Sequence, residues 1–135
     1  MMAAPAWEID DAEVREILAL SPEGRYTSFL QLSADWEEAW GLKDENGWIV
    51  RGSESNDEAF PLWPHAIFAG LCARGSLAGT TPERISLDDL LDDLLPLLEE
   101  DAIAVEVFPV EEERGSMVTA RRLLQDLHRE LELGE

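Results

Sequence analysis

The chain has 135 residues, 45% of them hydrophobic, which is ordinary for a globular protein and enough to bury a core in a single domain spanning 1–135. Thirty acidic against ten basic residues leave a formal charge of −20, a field that repels nucleic acid and anionic membranes and excludes a duplex-binding role. Cys72 is the single cysteine, so no disulfide framework is possible, and the opening MMAAPAWEIDD lacks both the basic and the apolar stretch of a signal peptide.

No apolar run is long enough to span a bilayer, and a cytoplasmic protein of bacterial type is expected. Residues 1–8 read as a loose terminus. Asp10 and Glu13 have capping-box spacing, with Ile9 and Val14 placed as the hydrophobic staple. A short amphipathic helix over 10–20 follows, with Val14, Ile17 and Leu18 inward. Ser21-Pro22 restarts the helix, which carries Tyr26, Phe29, Leu30 and Ser33 to about Asp35.

Asn46-Gly47 between alternating residues is a hairpin signal, because both positions tolerate positive φ. A two-residue loop there pairs Leu42 with Arg51, and a four-residue loop pairs Leu42 with Ile49. Either register puts Trp40, Leu42 and Ile49 on one face, with Trp48 and Val50 on the other beside Lys43. SESND reads as a polar turn before a third strand at 58–63, with Phe60 and Leu62 on one side and Trp63 on the other. Pro61 cannot donate to a ladder, so this strand is expected at an edge or to end early.

Pro64 opens a helix with Ile67, Phe68, Leu71 and Cys72, stopped by Gly75. SLAGTTPERI is read as a loop leading to Ser86, which caps a helix with leucines 87, 90, 91, 94 and 98 as its stripe. Asp88, Asp89, Asp92 and Asp93 fill the opposite face, and Pro96 is expected to kink or end the first part. Ile103, Val105 and Val107 alternate as a strand closed by Pro109, and EEERGS turns into a short strand at Met117-Val118. Thr119 caps a last helix with Leu124, Leu127 and Leu131 inward. The order ααβββααββα makes a single α+β domain, helices packed on a largely antiparallel sheet.

RYTSFLQLSADWEEAWGLKDENGWIV, FPLWPHAIFA and ISLDDLLDDLLPLLEEDAIAVEVFP together resemble an uncharacterised bacterial family, DUF2750. The likeness covers about residues 25–133, with Thr119-Ala120 standing where a Ser-Pro-like cap is expected. It implies a small intracellular protein and brings no activity or catalytic residue.

His65, beside Trp63-Pro64, is the best single candidate for chemistry, but a base or metal ligand needs partners in reach. Cys72 shares its helix face two turns away, about 10 Å along the axis and too far for a thiolate–imidazole pair. Asp57 or Glu58 reaches His65 only if the strand end folds back. A structural or capping role for His65 is the expectation, an inert core thiol for Cys72, and a surface pair for His128 with Glu132. The aspartate pairs of SLDDLLDDLL radiate from a helix instead of converging from a loop, so they read as a solvated face and not a calcium site. No cofactor, metal or catalytic residue is assigned.

Trp40 is expected in the core. Trp48 and Trp63 are expected on the other, more accessible face and, with His65, to form a binding patch. The sequence thus favours an acidic, tryptophan-rich protein-interaction module over an enzyme. One form of it is an immunity or inhibitor protein that takes a basic protein partner and neither nucleic acid nor membrane. The alternatives are a small-ligand or metal-binding, enzyme-like domain at Trp63–His65, and a DNA mimic.

Overall fold

Side-chain caps set where the helices begin. In the computed structural model, which describes residues 9–52, 58–74, 77–111 and 113–133, the Asp10 carboxylate accepts from Glu13 N–H at 2.8 Å and starts α1, Asp11–Leu18. Ser21 Oγ accepts from Gly24 N–H with Pro22 in the first turn, starting α2, Pro22–Trp36. Glu37 ends α2 in the left-handed region at φ 55°. His65, Ser86 and Thr119 cap the later helices in the same way. Each such cap contributes about 1 kcal/mol by satisfying a terminal N–H.

Strand β1 is Glu38–Asp44, followed by β2 at Gly47–Trp48 and β3 at Arg51–Gly52. Of the two registers open in the sequence, the one joining Leu42 to Ile49 obtains: Ile49 N–H donates to Leu42 O at 2.8 Å. Pairing runs one step further toward the tip than expected, to Asp44 opposite Gly47, which leaves Glu45-Asn46 as a two-residue turn. Asp44 Oδ1 accepts from Asn46 N–H, and Gly47 takes φ 120°, a value costly for any residue with a Cβ.

The strand β4, Glu58–Leu62, corrects the expectation for Pro61. It lies inside a four-stranded sheet ordered β3-β4-β6-β7, where β6 is Ala104–Val107 and β7 is Ser116–Val118. Leu62 O accepts from Phe108 N–H, so the even residues of β4 bond toward β6, in parallel. The odd residues face the other way: Ala59 pairs with Arg51, and Trp63 exchanges two hydrogen bonds with Trp40. Pro61 nitrogen falls in the gap between those two partners, so the proline removes no ladder bond.

The segment read as a loop before Ser86 contains instead a strand, β5, Thr81–Ser86, antiparallel to β1 over six residue pairs. Leu87 N–H donates to Glu37 O, which fixes the alternation of the ladder. By that alternation Ile85 and Glu83 bond to β1 while Arg84 and Pro82 face the outer edge. Pro82 and the charges beside it hid the strand in the sequence, and they are what an edge strand uses to discourage further pairing. The sheet β2-β1-β5 and the four-stranded sheet are joined through the Trp40–Trp63 bridge.

Helix α3 is Ala66–Cys72. Helix α4 comprises Leu87–Asp89, a π-helical segment Leu90–Leu94, and Leu95–Glu100. Pro96 neither ends nor breaks it. The wide turn before it, where Leu95 N–H reaches back to Leu90 O, absorbs the ring, as π-turns do. The extra residue shifts the inward stripe, so Leu87, Leu90, Leu95 and Leu98 are buried while Leu91 and Leu94 are half-buried. Helix α5, Ala120–Leu133, packs on α4, α2 and β6, with Leu123 and Leu127 fully buried.

The order is ααββββαβαββα, an α+β fold with mostly antiparallel sheets. Phe29, Leu42, Leu62, Trp63, Phe68 and Phe108 fill its core, each burial of this size contributing about 1.5–3 kcal/mol. The expected loose terminus at 1–8, the polar turn at 53–57 and the Gly75 stop lie outside the described residues.

Candidate functional site

The three residues expected to form a binding patch, Trp48, Trp63 and His65, do not share one surface. Trp63 is 0% exposed, and its indole N–H donates to Pro109 O at 2.8 Å. Its expected place on an accessible face is therefore corrected. Trp63 stands directly opposite Trp40 and so shares its face, not that of Trp48, which packs on Phe60, and the chain returning after β6 covers it. Trp40, expected in the core, is only half-buried, with its indole N–H on Glu38. Trp48 is half-buried beside Phe60, with ring centroids 5.6 Å apart, and Lys43 Nζ lies 4.6 Å over its ring. Gly41 makes room for it, since a Cβ there would come within 2.9 Å of the Trp48 ring.

His65 takes the structural role expected of it. With φ −150° and ψ 150° it sits at the cap of α3, where Nδ1 accepts from Ile67 N–H at 3.1 Å and the ring stands edge-on to Phe68. Cys72 Sγ donates to the same Pro109 carbonyl as Trp63, at 3.4 Å, and the thiol is half-buried. It lines a groove of about 280 Å³ with Leu18, Phe68, Leu71, Val110 and Glu111. Among the described residues, no group of three or more histidine, cysteine, aspartate or glutamate side chains converges as metal ligands do.

The ionisable groups buried most deeply were not singled out in the sequence. Arg25, 1% exposed, reaches from the first turn of α2 to the loop after β6. It donates to Leu20 O and Glu113 Oε1 at 2.9 Å, to Phe108 O at 3.2 Å and to Arg114 O at 3.4 Å. Glu106, 0% exposed on β6, accepts from Gly115 N–H at 3.0 Å and Arg114 Nε at 3.3 Å. Gly115 is obligatory there, because a Cβ would fall 2.3 Å from Val107 O. Together these groups clamp the 108–115 loop, which holds Phe108 at φ 59° and carries the Pro109 acceptor.

A second buried polar contact ties α2 to α5. Tyr26 Oη donates to Asp126 Oδ2 at 2.5 Å, and Asp126 also meets Arg122 at 3.0 Å. Burial, then the bond to the carboxylate, push the Tyr26 hydroxyl well above its usual range. All of these groups work as cross-braces.

The surface tells a different story. On α4 the outward side chains Asp88, Asp89, Asp92 and Asp93 are exposed, and none has an ion-pair partner among the described residues. Leu97, one turn beyond Asp93, is 52% exposed. The last turn of α4 holds Glu99 and Glu100 and no basic residue, against the helix dipole.

A family model described as a protein of unknown function, DUF2750, matches residues 26–127. The chain belongs to this family. The matched span runs from Tyr26 to Leu127 and so contains both sheets, α3, α4 and the clamped loop. No curated protein and no solved structure matches the chain. Membership of DUF2750 therefore names a fold without a chemistry, and among the described residues no helix is long and apolar enough to cross a membrane.

Proposed function

We infer that this member of DUF2750 is a protein-interaction module whose partner is a basic protein, acting as an immunity or inhibitor protein does, by electrostatic complementarity. The observation that carries the reading is where the positive charge goes. Seven arginines each lie within 3.8 Å of a carboxylate of the same chain, among them Arg25 on Glu113 and Arg84 on Glu38. The only lysine is held over Trp48. Most of the positive charge is thus matched within the chain, while the four aspartates of α4 are exposed. Such a field raises the encounter rate with a positively charged protein, most strongly at low salt.

Affinity capture from lysate at about 0.05 M and 0.5 M NaCl tests this, since charge attraction is screened over that range. The expected result is a partner of net positive charge that is retained at low salt and released at high salt. Capture that ignores salt, or a partner of net negative charge, overturns the reading.

A further inference from the structure

We draw no further inference here: the strongest candidate, the apolar groove that Leu18, Phe68, Leu71, Cys72 and Val110 line between α1, α3 and the start of the 108–115 loop, carries nothing, because nothing in the structure shows what covers it.

Discussion

Replacing Trp63 by Phe isolates what the buried indole does. The side chain is 0% exposed, and its N–H reaches Pro109 O at 2.8 Å. Phenylalanine keeps an aromatic ring but removes that donor, and loss of one neutral hydrogen bond costs about 1 kcal/mol. The smaller ring leaves about 40 Å³ unfilled, which adds about 1 kcal/mol at the cost measured for core cavities. The sum, about 2 kcal/mol, corresponds to a fall in melting temperature of about 6–10 °C for a domain of this size. It is small against a total stability of about 5–15 kcal/mol, so the variant stays folded. Trp48→Phe is the companion: that indole is half-buried, packs on Phe60 and has no acceptor among the described residues. It should cost less than about 1 kcal/mol. Urea titration followed by far-ultraviolet circular dichroism reads both as shifts in midpoint at constant slope. Equal losses, or a loss below about 0.5 kcal/mol in Trp63→Phe, would refute the assignment of Trp63 as the anchor of the 108–115 loop.

Arg25→Met strands the Phe108, Leu20 and Arg114 carbonyls, and urea titration should show a loss of about 2–4 kcal/mol, with Glu113 losing little because it remains hydrated. Tyr26 holds its proton more tightly folded than unfolded, so it contributes stability in full below its ordinary pKa of 10.0 and loses it as pH rises beyond. Thermal unfolding between pH 8 and pH 11 should therefore show a decline that Tyr26→Phe reduces, and an unchanged decline would contradict the buried Tyr26–Asp126 bond. His65→Ala should cost about 1 kcal/mol, the worth of a cap, and zinc should leave the melting temperature of the unmodified chain where it was.

Local signals in the sequence carried much of this fold. Asp10, Ser21, Ser86 and Thr119 cap helices because a short side-chain oxygen three residues before an open N–H has one good use. The hairpin turned for an equally local reason, Asp44 accepting from Asn46 N–H and Gly47 taking positive φ, although the turn is Glu45-Asn46 and not Asn46-Gly47. The parts that stayed hidden depend on what folds over them. Val105 and Val107 announced a strand, yet Glu106 between them reads as an outward residue, and only the return of Arg114 and Gly115 buries it. Trp63 was expected on the face of Trp48, but its pairing with Trp40 puts it on the other, which Pro109, forty-six residues later, closes. Arg25 looked like any surface arginine of α2, because its acceptors are carbonyls and carbonyls leave no mark in a sequence. The acidic face of α4 was legible from spacing alone, and its four aspartates are exposed.

Whether charge complementarity holds the partner is read most directly from how its affinity responds to salt. Isothermal titration of the captured partner into the unmodified chain across about 0.05–0.3 M NaCl measures it. The prediction is an affinity that falls steeply with salt. An affinity that stays the same across that range would contradict the claim that a basic protein is held by charge.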